Sequence, residues 1–496
     1  MNKNFFVIFL MLVVLPTLAQ FPSTDSAYFF LFGNSGVEEF KDVSNHSIDS
    51  GYVMVGSTSS FTNGTSDLYL VKTDWKGNTI WSRHFGGEGI ENGTSVVETP
   101  DHGFLVGGFT NTTPGGDYDF YTVKCDSQGF AEWSKNYGGS DWDFLRSVAI
   151  ASDSGYFFCG ETYSFGNAGS DIYLIRTNKN GDTLWTKTYG GLNNQAPRKI
   201  IFTTDSSLVI VGYTENNTNG MKDLYLIKCN SANGDTIFTR MAGGTFNDVA
   251  NAVVEHNSFD YGYVIVGYTE SFNLNHDKDI WVIKYDSSGN LMWQSSFGNS
   301  SGDDEATCIA KEGYDFFVSG YTPNGAGEQD LVAGILNFGG FWLWNQSTSY
   351  GSYNSDFAWA NTKTLRGDYL FAGSTNSFNA HSTDALLLLT DSIKVQFQSV
   401  TTSSDELVGI SNTVIADLNI FPNPAIDRIF FSGLKKLKNI RYQLFDAEGR
   451  LVVQSRIENV VDIESIDISN FAGGVYYLDI NADQICFRKK LIVLPR

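Results

Sequence analysis

Apolar residues along this chain come in short runs, and the runs recur in sets. In the third set, Tyr156–Gly160 is a compact apolar run opened by Gly155. Asp171–Arg176 is a second run, rich in β-branched and aromatic residues, and Thr183–Tyr189 sets Leu184, Trp185 and Tyr189 among Thr and Lys. These are strand patterns of ordinary length, separated by Gly, Asn and Asp. Between the last two runs lies Asn178-x-x-Gly181, which returns as Asp74-x-x-Gly77, Asp126-x-x-Gly129, Asp286-x-x-Gly289 and Asn337-x-x-Gly340. An Asx side chain can accept from the backbone two residues on, and Gly tolerates positive φ, so each element predicts a tight hairpin.

The set returns seven times. The Gly that ends the first run falls at 56, 108, 160, 212, 267, 320 and 373, spaced 52, 52, 52, 55, 53 and 53. Asp opens the next run at 67, 119, 171, 223, 279, 330 and 384. The aromatic after the hairpin is Trp81, Trp133, Trp185, Phe238, Trp293 and Trp344, and only the seventh copy lacks it. A period near fifty with several short strands per copy predicts the blades of a propeller. Such a sheet is apolar on both faces and is stable only stacked on its neighbours. Closing the ring removes the open edges. Tyr28–Gly33 has the pattern of a fourth strand without the three before it, so the N-terminal segment is expected to complete the seventh blade. Ile393–Gln398 competes for the same slot.

Composition refines this picture at both ends. Lys3 precedes an apolar run, Phe5–Leu15, that is too short to span a bilayer and ends in Pro16-Thr17-Leu18-Ala19. Residues 1–20 read as a secretory signal peptide cleaved at Ala19 or Gln20. No later stretch is long and apolar enough to be transmembrane. The net charge of −22 argues against nucleic acid and anionic lipid surfaces as partners. Five cysteines, an odd count without a Cys-x-x-Cys, are expected to be free thiols. After residue 400 the repeat stops. Residues 401–417 read as a linker, and 418–496 carry eleven Lys and Arg against nine Asp and Glu, a net of +2. Short strand patterns recur there, so the fold class expected is all-β: a seven-bladed β-propeller over 21–400, followed by a small Ig-like β-sandwich over 418–496.

Residues in this last stretch carry a resemblance. Phe421-Pro422-Asn423-Pro424, Tyr442 through Asp446 to Gly449, Ile466–Ser469, Gly474-Val-Tyr476 and Lys489-Lys490 follow one another in order. The stretch is similar to the type A C-terminal sorting domain of type IX secretion substrates. The resemblance implies the type IX machinery as a partner, passage through the periplasm and outer membrane, removal of the domain, and release or attachment to surface lipopolysaccharide. The propeller repeats themselves resemble those of large bacterial surface and secreted proteins, which implies a fold but no defined activity.

Little in the sequence points to chemistry. The seven strand-opening Asp are expected to satisfy backbone donors of the preceding loops rather than to ligate metal. The consensus Trp, like Tyr69, Tyr173 and Tyr225, is expected to pack between blades. Lys72-Thr-Asp74-x-x-Gly77-x-x-x-Trp81 looks like the Trp-docking repeat of quinoprotein dehydrogenases, but the adjacent cysteine pair of those enzymes is missing. Gly298-x-Ser300-x-Gly302 matches a nucleophile pattern without the helix it needs. Gly87–Gly93 lacks the spacing of a phosphate loop. The six histidines are scattered. No catalytic, cofactor or metal residues are therefore assigned, and no cofactor is expected. Acids outside the repeat consensus (Glu88, Glu91, Asp141, Asp143, Asp303, Asp304 and Glu305) lie in one type of inter-blade loop and are expected to be solvated loop acids, whereas a propeller glycosidase would use two or three carboxylates converging from different blades.

The sixth copy departs from the consensus, with Phe341-Trp342-Leu-Trp344, Tyr350, Tyr353, Phe357 and Trp359, and Trp342 and Trp359 are candidates to hold a glycan or protein ligand. Variable loops follow each Gly-x-Thr on a rigid frame, a format suited to recognition. The function expected is a secreted or surface-displayed binding module. The alternatives are an extracellular polysaccharide-active enzyme and a purely structural or adhesive surface protein.

Overall fold

The computed structural model describes residues 27–390 with short gaps in the loops, and parts of 419–493. Seven four-stranded antiparallel sheets fill the first of these ranges. Blade 1 runs from an inner strand, Glu38–Asn45, through Tyr52–Thr58 and Asp67–Thr73 to an outer strand, Thr79–Phe85. Blades 2 to 6 repeat this order over residues 91–137, 143–189, 195–242, 248–297 and 305–350. The two middle strands of a blade are buried almost throughout, while the outer strands alternate exposed and half-buried residues. Charge is sparse in the middle strands because both of their faces are covered by neighbouring blades.

The seventh blade settles the question of closure. Its strands Asp356–Lys363, Tyr369–Thr375 and Asp384–Thr390 come from the end of the repeats, and its outer strand is Ala27–Phe32. That strand pairs antiparallel in an unbroken register from Ala27 opposite Thr390 to Phe32 opposite Ala385. Phe29 and Leu31 point into the core shared with blade 6, and Phe30 and Phe32 into the core shared with blade 1. The competing segment, Ile393–Gln398, lies outside the described residues.

Among the described residues six of the seven seams between blades are built from one aromatic and one glycine. The Trp81 ring covers Gly129 in the hairpin of blade 2, and Trp133 covers Gly181, Trp185 Gly234, Phe238 Gly289 and Trp293 Gly340. These glycines have φ between 73° and 85°, the left-handed region, and a Cβ there would strike the ring. The Tyr137 and Tyr189 hydroxyls donate to the Gly181 and Gly234 carbonyls at 2.6 Å, fastening the same seams. The seventh copy needs no tryptophan of its own, because Phe30 from the N-terminal strand covers Gly77.

A second rule explains the regular Gly56 series. In every blade the inner strand carries a β-bulge opposite this glycine, as at Phe40/Asp42 in blade 1 and Pro197/Lys199 in blade 4. The bulge pushes a carbonyl against the neighbouring strand: a Cβ on Gly56 would overlap the Glu39 oxygen, and one on Gly212 the Ala196 oxygen. The same geometry holds at Gly108, Gly160, Gly267, Gly320 and Gly373.

Within 419–493 the described strands form a three-stranded sheet and a four-stranded sheet. The four-stranded sheet pairs Gly474–Ala482 with both Arg441–Asp446 and Ile485–Val493.

Candidate functional site

One end of the ring gathers the starts of the inner strands, the inter-blade loops and the variable loops. Each blade there has a polar knot where its inner strand begins, at the strand's first residue or, in blade 6, at Asp304 just before it. Glu91 accepts from the Gly87 amide at 2.9 Å and from the Thr110 and Thr112 hydroxyls at 2.5 Å each. Asp143 accepts from the Gly139 amide and the Ser164 hydroxyl, Asp248 from the Gly244 amide and the Thr269 and Ser271 hydroxyls, and Asp356 from Thr375 and Ser377. The threonine of the Gly-x-Thr thus holds its own blade's inner strand in every blade but the fourth, where Gln195 stands in place of the acid and Thr214 accepts from the Asn216 amide. The consensus Asp at the start of the third strand packs beside the glycine that follows the outer strand, as Asp67 does at Gly86 and Asp384 at Gly33. Asp119 sits in this way against Gly138 with Asp143 close by. Burial, with the Asp143 and Asp117 charges, pushes its carboxyl up to about 6. Among the described residues no group of three or more His, Cys, Asp or Glu is arranged to hold a metal ion.

The opposite end is held by ion pairs. The consensus cation of the third strand reaches the turn after the inner strand, in Lys72–Asp49 (2.6 Å), Lys124–Asp101 (3.0 Å), Arg176–Asp153 (2.5 Å) and Lys228–Asp205 (2.6 Å). Burial disfavours the charged form of Asp101 and Asp205, but hydrogen bonds and the lysine charges outweigh it and hold both carboxyls at about 2.

The wall of the central channel behaves differently. The extra residue in each bulge is Lys41, Thr94, Arg146, Arg198, Asn251, Thr307 or Trp359, in blade order. All seven are half-buried at equivalent places on the inner strands, and they range over five residue types, with Arg in blades 3 and 4 and Thr in blades 2 and 6. Thr94 and Thr307 are turned into the wall, their hydroxyls donating to Leu145 O (3.0 Å) and Ala358 O. The rest group with aromatic rings and charges near the mouth. Lys41 lies 4.1 Å from the Trp359 ring centre, and Trp359 stacks on Phe357. Arg146 donates to Glu161, beside Phe144. Arg198 lies over Tyr213. A cluster of Phe109, Tyr118, Trp142, Phe144 and Tyr163 rises to the surface, where Trp142 and Tyr163 are exposed.

One residue further along the same strands, the channel is crossed. Lys199 of blade 4 reaches Asp42 of blade 1 at 3.7 Å. Asp42 is fixed by the Ser95 hydroxyl at 2.8 Å and the Val96 amide at 3.1 Å. The Asp42 charge, against the opposing effect of burial, raises the Lys199 ammonium. The mouth is consequently a vestibule with a charged floor.

The structure separates the two tryptophans expected to serve a ligand together. Trp342 is only 6% exposed and packs with Trp293, Phe297 and Val332 in the core between blades 5 and 6, which takes it out of reach of a ligand. Trp359 lies on the channel wall, its Nε1 donating to Ser374 at 3.2 Å. Glu91, Asp143 and Asp304 serve the polar knots, whereas Glu305 faces the vestibule, accepting from Lys278, Asn251 and Tyr321. In the C-terminal stretch Tyr476 is buried against Phe471. Asp446, Gly474 and Lys490 lie on paired strands. Pro422, Asn423, Pro424 and Gly449 lie outside the described residues, as do Ala19 and Gln20.

Fold and sequence together define a seven-bladed β-propeller protein of the secreted bacterial type. Residues 419–494 match the family described as the secretion system C-terminal sorting domain, so the chain carries the address of the type IX system, which leads to the cell surface or beyond it. The regulatory protein FlaEY of Caulobacter vibrioides is 26% identical over 178 residues, which is 31% of this chain and 18% of that protein. The chain therefore spans under a fifth of that relative's length. Among solved structures, the Pan2 WD40 domain of Neurospora crassa is similar at 11% identity and a TM-score of 0.44, covering 76% of this chain and 99% of that one. PorZ, a surface component of the type IX secretion system of Porphyromonas gingivalis, is similar at 13% identity and a TM-score of 0.37, covering 92% of this chain and 59% of that one. No helix among the described residues is long and apolar enough to cross a membrane.

Proposed function

We propose that this protein is a binding module displayed or released outside the cell, and that its ligand enters the vestibule at the loop-bearing end of the channel. One observation carries the reading. Positions that maintain the ring repeat from blade to blade, while the bulge positions on the channel wall hold five residue types in seven blades. Residues kept for architecture would follow the symmetry of the architecture, and residues kept for a ligand would not. The crossing of the channel by Lys199 and Asp42 supports a pocket rather than a conduit.

The export route is proposed in finer detail as follows. Residues 1–20 are a signal peptide cleaved at Ala19 or Gln20, 21–400 form the propeller, and 401–417 the linker. Residues 418–496 fold as an Ig-like sandwich that is removed on passage, leaving the propeller free or attached to lipopolysaccharide. Deleting 418–496 should then trap the protein in the periplasm, and normal appearance of the truncated form in the medium would refute the assignment.

For binding, a panel of polysaccharides and glycans scored for both retention and product release is the direct test. Combined replacement of Arg146, Arg198 and Trp359 by alanine should abolish retention of any ligand found without lowering the melting temperature by more than a few degrees. Unchanged retention would remove the vestibule from consideration. Product release would favour the enzyme reading, for which Glu39, Glu161 and Glu305 reach the mouth from three blades, each tied to a cation. Self-association without retention would favour a purely adhesive role.

A further inference from the structure

Two adjacent blades break the symmetry of the mouth in the same way. In blades 4 and 5 the residue after the consensus glycine is tyrosine, Tyr213 and Tyr268, and the residue before the consensus Asp is lysine, Lys222 and Lys278. Each lysine lies over its own blade's tyrosine, at 4.5 Å for Lys222 and 4.4 Å for Lys278. Each is pinned to the next blade through its carbonyl, which accepts from the Asp248 or Asp304 amide at 2.7 Å. The two units are therefore built alike.

They differ in what neutralises them. Over blade 5 the chain supplies its own carboxylate: Glu305, which opens the blade 6 inner strand opposite Tyr321, accepts from Lys278 at 2.7 Å, Asn251 at 2.9 Å and Tyr321 at 2.5 Å. The position equivalent to Glu305 over blade 4 is Val249, and the position equivalent to Asn251 is Arg198. Arg198 lies 5.6 Å from the Tyr213 ring centre, so that ring carries a cation from each of two elements. Among the described residues neither Arg198 nor Lys222 has a carboxylate within ion-pair distance. The nearby acids are engaged elsewhere, Glu161 by Arg146 and Glu215 by the Asn194 amide at 2.9 Å. Two uncompensated cations beside one ring stand out in a protein of net charge −22.

We propose that the blade 4 unit, Arg198, Lys222 and Tyr213, is a subsite for the carboxylate of an acidic saccharide, which takes there the place that Glu305 takes over blade 5. The inference rests on the vestibule being the ligand site and names the class of ligand. A uronate suits the unit because its carboxylate can bridge the two half-buried cations while its ring lies beside the half-buried Tyr268; Tyr213 itself is 9% exposed and, packed on the buried Ala196 and Val249, holds the cations in place.

The test is calorimetric titration of the full chain with a galacturonate trisaccharide and with its fully methyl-esterified form. The acidic form should bind at least tenfold more tightly, and the preference should shrink with added salt. Lys222→Gln and Arg198→Gln should each weaken the acidic form at least tenfold. Val249→Glu, which gives blade 4 the internal carboxylate of blade 5, should abolish binding. Lys222→Gln covers the case in which Val249→Glu fails to fold. Equal binding of both forms, or tighter binding of a polyglutamate peptide than of the trisaccharide, would overturn the subsite. If a neutral glycan bound in an Arg146- and Trp359-dependent way, the vestibule would stand and only the acidic class would fall.

Discussion

The seams between blades and the wall of the channel are made from the same repeat, yet they obey different rules. At a seam the pairing of an aromatic with a positive-φ glycine recurs around the ring, and where the seventh copy lacks its aromatic the first strand brings Phe30 instead. On the wall, one structural position holds Lys41, Thr94, Arg146, Arg198, Asn251, Thr307 and Trp359. The seam has to bury apolar surface in the same way at every junction, so any departure lowers stability. The bulge leaves its extra residue outside the ladder and facing the channel, so its side chain can change at little cost to the fold. Geometry repeats in both places, and only the first is held to one chemistry.

The largest expected effect breaks the seam altogether. Removing Ala27–Phe32 leaves blade 7 three-stranded and takes four buried side chains, Phe29, Phe30, Leu31 and Phe32, out of the cores they fill with blades 6 and 1. At about 1.5–3 kcal/mol for each such side chain, the loss rivals the whole stability of an ordinary domain. The truncated chain should fail to melt cooperatively and should elute as aggregate, and an unchanged melt would contradict closure by this strand. Trp81→Ala empties one seam and should cost about 3–5 kcal/mol in chemical denaturation.

A sharper comparison uses one rung of blade 4. Gly212→Ala drives a methyl into the Ala196 carbonyl and should cost about 1–3 kcal/mol. Arg198→Ala, on the bulge that this glycine accommodates, should change stability by no more than about 0.5 kcal/mol. Similar losses for the two would erase the distinction drawn between positions fixed by the backbone and positions left open on the wall.

The smallest effect is electrostatic. Because the folded-state pKa of Asp119 is raised to about 6, its charge opposes folding at neutral pH, and that penalty is relieved as pH falls from about 6 toward 4. Asp119→Asn should raise stability by about 1 kcal/mol or less at pH 7.5, after allowance for screening, with the gain gone by pH 4. Asp101 and Asp205 have the opposite sign. Their carboxyls are depressed to about 2, so their contribution is present above the ordinary carboxylate range and is lost as pH falls from about 4 through 2. Melting temperatures of the native chain and of Asp119→Asn across this range distinguish the two sets.

The blade count, the hairpins and the N-terminal closing strand were legible because they follow from backbone demands: a residue that permits positive φ, a run that is apolar on both faces, a fourth strand without its first three. The role of Trp81 and its equivalents was legible for the same reason. Trp342 was misleading, since an aromatic that breaks the repeat in sequence can still pack in a seam. The channel wall stayed hidden because the bulge shifts the alternation of side chains in mid-strand. Lys41, Arg146 and Arg198 can be aligned only by counting back from the consensus glycine across a turn of variable length. The match of Val249 to Glu305, on which the acidic subsite depends, needs that alignment together with knowledge of which blades touch.

Ala27 lies opposite Thr390, so the opening and closing segments of the propeller are neighbours in space. A polypeptide threaded through a membrane only as far as the sixth blade has just one of them on the far side, and one cut short in synthesis before Asp384 never has both. Sealing is thus reserved for a molecule whose seven blades have all been delivered. It is also expected to come late and slowly, because the partners are about as distant in sequence as the domain allows. Until then the unsealed circle offers a bare sheet edge by which an exporting or quality-control apparatus could tell unfinished cargo from finished.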